Sequence, residues 1–189
     1  MSIREKIIIA IIFMSIAIGG RLLPHVPNVA PIGALAMMST LYISRRFGWA
    51  LSLTALFISD LFIGFYAGGV MISVYGSFFL IAMLNLVSRR SNAPALAVRS
   101  IMGSVAFFTI TNFAVWQFGT MYPHSVSGLI ACYTAAIPFF RRTLIGDILY
   151  TALFVGVIQG VVALRRLDAV KLKTLRATRL TNSLSSSNL

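Results

Sequence analysis

Asn112 and Trp116 stand four residues apart in the run Thr111-Asn112-Phe113-Ala114-Val115-Trp116, so a helix places an amide and an indole on one face. Both groups need hydrogen-bond partners in apolar surroundings, because hydrocarbon offers none. Asp60, in Ile58-Ser59-Asp60-Leu61, and Asp147, in Ile145-Gly146-Asp147-Ile148, are carboxylates within apolar runs, and Arg21 closes another. Tyr75 and Tyr150 add phenols to such runs, and Asn28 lies among prolines. A charged side chain in hydrocarbon costs about 2.5–3.5 kcal/mol on insertion scales, so these groups must face inward and pair. Arg21 can hold an anionic group in bidentate fashion. The aspartates can meet a cation or hydrogen-bond donors, or take up a proton, and Trp116 can stack on a ring. This is binding chemistry. No nucleophile elbow, HExxH, GxGxxG or Walker loop is present, and neither aspartate sits in the paired motifs of the intramembrane aspartyl proteases, so no catalytic residue, enzyme activity or cofactor is expected. His25, His124 and the single Cys132 are too few for a metal site or a disulfide framework.

The elements that must position these groups are apolar runs. The chain has 189 residues, 58% of them hydrophobic, with four acidic residues against sixteen basic ones. That composition predicts an all-α integral membrane protein, a compact bundle of six transmembrane helices over 7–23, 32–44, 47–66, 70–87, 100–118 and 143–164. Pro24, Pro27 and Pro31 break the chain before the second helix, which is short, so their segment must cover part of the membrane depth. Residues 128–140 are apolar but too short to span, and read as an outer interfacial or re-entrant piece. Residues 167–189 form a basic, Ser/Asn-rich tail, expected to extend the last helix and fray into disorder.

With six spans and both termini cytoplasmic, only Arg21, Arg141 and Arg142 of the sixteen basic residues fall outside, as the positive-inside rule favours. The charge of +12 therefore reads as an orientation signal for a multi-pass protein of the cell (inner) membrane, with no nucleic-acid partner. On this topology Asp60, Asn112 and Asp147 each lie roughly 9 Å below the outer boundary, at 1.5 Å per residue. Tyr75 is at similar depth and Arg21 closes the first helix on the same side. One outward-facing polar layer follows, able to bind a small polar molecule. Two other readings remain open: a structural or assembly protein in which the layer only locks the bundle, and a membrane enzyme acting on lipid.

Arg21-Leu22-Leu23-Pro24-His25-Val26-Pro27-Asn28, Pro31-Ile32-Gly33-Ala34-Leu35-Ala36, Ser59-Asp60, Thr111 to Trp116, Cys132 to Phe139 and Gly146-Asp147-Ile148-Leu149-Tyr150 together resemble an uncharacterised bacterial family of six-helix membrane proteins. That family is similar to the substrate-binding S components of energy-coupling factor (ECF) transporters. The resemblance covers about residues 5–164. It implies capture of a vitamin-like micronutrient from outside, with a transmembrane coupling protein and cytosolic ATPases as partners. It also implies a substrate site drawn from Arg21, Asn28, Asp60, Tyr75, Asn112, Trp116, Asp147 and Tyr150. S components commonly dock through an Ala-xxx-Ala face on the first helix. Here that spacing occurs at Ala30 and Ala34, beside Pro31 and near the second helix.

Overall fold

The computed structural model describes residues 1–24, 27–86 and 90–186, with side chains as far as 167. Those residues form six helices and no strand: α1 (Ile3–Leu22), α2 (Ile32–Met38, continued by a π-helical turn Ser39–Ile43), α3 (Gly48–Ile63), α4 (Gly68–Leu84), α5 (Ala93–Phe118) and α6 (Val126–Ser186). His25, and residues 87–89 at the expected end of the fourth helix, lie outside the described residues.

The short helix α2 is the hub. Its sequence Ile-Gly-Ala-Leu-Ala-Met-Met carries no polar side chain, and all seven residues are buried. A helix apolar all round must be enclosed, and α2 contacts every other helix of the bundle. Around it pack Ile9, Phe13 and Ala17 of α1, Ala55 and Leu56 of α3, Ile81 and Ala82 of α4, and Phe154 and Ile158 of α6. Phe13 and Phe154 bring α1 against α6, with ring centroids 4.1 Å apart. At its C-terminal end α2 loosens into the π turn, where Ser39 Oγ donates to the carbonyls of Leu35 (2.6 Å) and Gly48 (2.7 Å). The start of α3 crosses that turn backbone to backbone. A side chain at Gly48 would overlap the main chain of Thr40, 2.5 Å from its Cα, so only glycine fits there.

Several boundaries differ from the sequence expectation, and the third and fourth helices end three residues early, at Ile63 and Leu84. The second helix is split by the π turn. The first begins at Ile3, because Ser2 and Glu5 form a capping box. The fifth begins at Ala93 rather than Ser100, since Asn92 caps it and a proline in the first turn removes no helical hydrogen bond. The largest correction concerns 128–140, which is not a separate piece. It is the first part of α6, which runs without a break from Val126 through Ser186. Pro138 deletes one donor and bends a helix without ending it, and the exposed Arg141 and Arg142 are good helix formers. The tail shares this helix as far as Ser186. Two elements are long and apolar enough to cross a membrane, α5 and the Val126–Leu167 part of α6. In each, only 22% of the most apolar window is buried.

Candidate functional site

Arg21 closes α1, Asp60 lies in the last turn of α3, and Tyr75 is in the second turn of α4; the three side chains meet. Arg21 Nη2 lies 2.7 Å from Asp60 Oδ1, and the Tyr75 hydroxyl donates to Asp60 Oδ2 at 2.9 Å. Asp60 is fully buried and Arg21 is 16% exposed. Both carboxylate oxygens are thus engaged within the protein. Arg21 Nη1 is buried without a hydrogen-bond partner. The arrangement ties together three helices, α1, α3 and α4.

Asp147 does a different job. It is buried on α6, where Oδ2 accepts from Ser104 of α5 at 2.6 Å, and the backbone N–H of Ala34 also bonds to it. Pro31, the residue that begins α2, supplies no side-chain cap. Asp147 replaces it, placing a carboxylate at the positive end of the helix. A Cβ on Gly33 would run into this carboxylate, which explains the glycine at that position. About one turn further along α6, the Tyr150 hydroxyl and Pro31 crowd Gly20: a Cβ there would lie 3.2 Å from the hydroxyl and 3.0 Å from the proline ring.

Asn28 and Asn112 come together in a cavity of about 230 Å³. Its wall also includes Thr111 and Thr143, Ala136, and the four rings of Phe107, Phe108, Phe139 and Phe140. Asn28 takes a left-handed backbone with φ of 67°, which asparagine tolerates better than most residues. The cavity has a physical origin in the mismatch between α5 and α6. Tyr133 donates to the Thr109 carbonyl and Asp147 accepts from Ser104. Between those contacts α5 advances five residues and α6 fourteen. Pro138 lies within that longer stretch of α6, next to the cavity-lining Phe139 and Phe140.

The eight expected residues therefore do not share one pocket. They divide into the ion-paired cluster, the Asp147 cap with Tyr150 nearby, and the cavity with Asn28 and Asn112. Trp116 joins none of these. Its indole donates to the Pro123 carbonyl at 2.9 Å and meets His124 edge-on. Asn112 Nδ2 donates to the Phe108 carbonyl at 2.7 Å, so the amide is fixed by its own helix as it lines the cavity. Cys132 is buried with its thiol toward the Asn112 carbonyl. Sequence reasoning missed Ser104, Thr143 and the four phenylalanines. The available signal was Pro138-Phe139-Phe140, a helix bend followed at once by two rings. Among the described residues no group of three or more His, Cys, Asp or Glu side chains converges. Among the described residues, no titratable side chain lines the cavity. Its chemistry is hydrogen bonding from amides and hydroxyls set against aromatic faces.

Residues 1–170 match a family of unknown function, DUF6580, and the chain belongs to it. No curated protein and no solved structure matches the chain.

Proposed function

We propose that this DUF6580 member is a multi-pass protein of the cell membrane that binds a small polar molecule, in the manner of an ECF S component, for uptake from the outer side. The observation that carries this reading is the cavity shared by Asn28 and Asn112. It lies where the proline segment meets the bend of α6, and irregular backbone at membrane depth is tolerated where it lines a cavity. Pockets for drug-sized ligands run to about 300–1,000 Å³. A space of about 230 Å³ suits a smaller molecule, such as a single ring with a polar edge.

The membrane placement draws support from the surface. Ile7, Ile8, Ile11, Phe62, Ile72, Val105, Phe113 and Ile130 are all exposed. Apolar patches of that extent are rare on water-soluble monomers. In the six-span arrangement, the shorter helices α2, α3 and α4 cross with help from their connections. The chain carries no nucleotide-binding motif, so energy would come from a coupling protein and its ATPases. Ala34 is 1% exposed, so docking through the Ala30–Ala34 spacing is not favoured. The exposed Ile7, Ile8 and Ile11 stripe of α1 is the better surface. A structural role belongs to the Arg21–Asp60–Tyr75 cluster, whose groups are engaged with one another.

The test is native mass spectrometry of gently purified protein, comparing wild type with Asn112→Leu and Thr143→Val. The expected result is a co-purified small molecule in wild type, lost in both variants while helicity and unfolding temperature are retained. Absence of any small molecule from wild type, or its equal retention in both variants, overturns the reading.

A further inference from the structure

The second large opening lies at the other end of the bundle. It is a cleft of about 490 Å³ between the end of α4 and the start of α5. Arg90, Arg99 and Asn92 line its polar part, and Leu84, Val98 and Met102 its apolar part. Arg90 and Arg99 also keep contacts within the protein. Arg45 stands close by: its guanidinium donates to the Leu86 carbonyl, and its charge interacts with that of Arg99. Three guanidiniums thus gather here. Glu5, Asp60 and Asp147 are all engaged elsewhere, in the Arg165, Arg21 and Ser104 contacts.

A further group points to a ligand. Asn85 is 2% exposed and lines the same cleft. Its Nδ2 donates to the Ile81 carbonyl, while Oδ1 is buried with no partner. A buried orphan acceptor is costly and calls for a donor. The site therefore asks for three things at once: an anion for the arginines, a hydroxyl or ammonium donor for Asn85, and a hydrocarbon chain along Val98 and Met102.

We propose that this cleft binds one anionic phospholipid, its phosphate held by Arg90 and Arg99, its headgroup hydroxyl by Asn85, and its acyl chain against Val98 and Met102. Phosphatidylglycerol has all three features. Basic pockets between membrane helices on the cytoplasmic side suit anionic headgroups. The inference shares the membrane placement argued above but does not use the Asn28–Asn112 cavity. Loss of the lipid and loss of the small molecule are separate outcomes in separate variants.

The experiment offers the full-length protein an equimolar mixture of dioleoylphosphatidylglycerol and dioleoylphosphatidylcholine and reads the first bound lipid by native mass spectrometry. Wild type is expected to prefer phosphatidylglycerol by roughly thirtyfold, as two cations at about 1 kcal/mol each imply. Arg90→Gln/Arg99→Gln should reduce that preference to near unity, while Arg141→Gln/Arg142→Gln, which removes the same charge elsewhere, should keep it. Met102→Trp fills the apolar part without touching a charge and should lose the bound lipid; it decides the matter if the double arginine variant fails to fold. Soluble glycerol phosphate in large excess should not displace the lipid. Displacement by glycerol phosphate would mean a phosphate site rather than a lipid site. An equal loss in Arg141→Gln/Arg142→Gln would mean general charge attraction. Retention of the lipid in Met102→Trp would remove the acyl groove. Each of these results overturns the proposal.

Discussion

Asp60 has no exposed surface, and its two oxygens are shared between a guanidinium and a phenol. Removing one member of a buried ion pair leaves the other uncompensated, at a cost of about 3–5 kcal/mol. Asp60→Ala should fall in that range by denaturant unfolding, and Arg21→Met/Asp60→Leu should recover much of it. Recovery in the double variant with the small molecule still bound would separate this cluster from the cavity. Asp147→Ala should also destabilise, by about 1–3 kcal/mol, because the Ser104 hydroxyl and the Ala34 N–H lose a shared acceptor. Gly33→Ala should destabilise for the converse reason, since its methyl group displaces the carboxylate. Both are checked by thermal unfolding, and their effects should not add, since they disturb one contact.

Among the elements, α1 is tied down at its start. The Ser2 backbone N–H donates to Glu5 at 2.6 Å, and Arg165 of α6 lies 2.9 Å from the other carboxylate oxygen. Glu5 precedes the apolar run of α1. The Ser2 donor, followed in effect by the Arg165 charge, holds its carboxyl below the usual 4.5, against the opposing pull of partial burial. A depressed carboxylate pKa stabilises the fold above the unfolded value, and the benefit is lost as pH falls through the folded one. The difference in unfolding temperature between wild type and Glu5→Gln should therefore be full at pH 7 and shrink on acidification below 4.5. A scan of unfolding temperature against pH reads this directly. The capping box was visible in Ser2 and Glu5, yet a cationic start drew attention to Arg4 and Lys6 instead. The continuity of α6 was harder to read. Pro138 with Arg141 and Arg142 just after it resembles a helix end in one dimension, and only the fold shows that the helix runs on through it. Pro138→Ala should straighten α6 and stabilise it by about 1–3 kcal/mol. It should also narrow the cavity, so ligand occupancy in native mass spectrometry should fall as the unfolding temperature rises.

At the scale of the whole molecule, the order and number of helices were legible because apolar runs and their punctuation are local properties of the chain. The position of each polar group along its helix was legible too, but not its azimuth. Asp60, Asn112 and Asp147 each occupy a helix, yet which neighbour each one faces depends on tilt and rotation set by packing. Thus Ser104 could not be paired with Asp147, nor Asn28 with Thr143, from spacing alone. The six-span topology has its own test with a membrane-impermeant maleimide on intact cells. Buried Cys132 should resist labelling, and Ser2→Cys should react only after the membrane is permeabilised. Labelling of Ser2→Cys in intact cells would invert the topology. A mechanical consequence follows from the continuity of α6. The helix touches the cavity wall at Ala136, Phe139 and Phe140, and about 40 Å further along, at 1.5 Å per residue, it carries Arg165 to Glu5. Pro138 lies inside that rod, where a proline-centred hinge would act as its fulcrum. A tilt of about 5° there displaces Arg165 by roughly 3.5 Å at the stated rise, enough to part it from Glu5. A ligand that tilted α6 beside Pro138 would thus be felt as leverage at the opposite end.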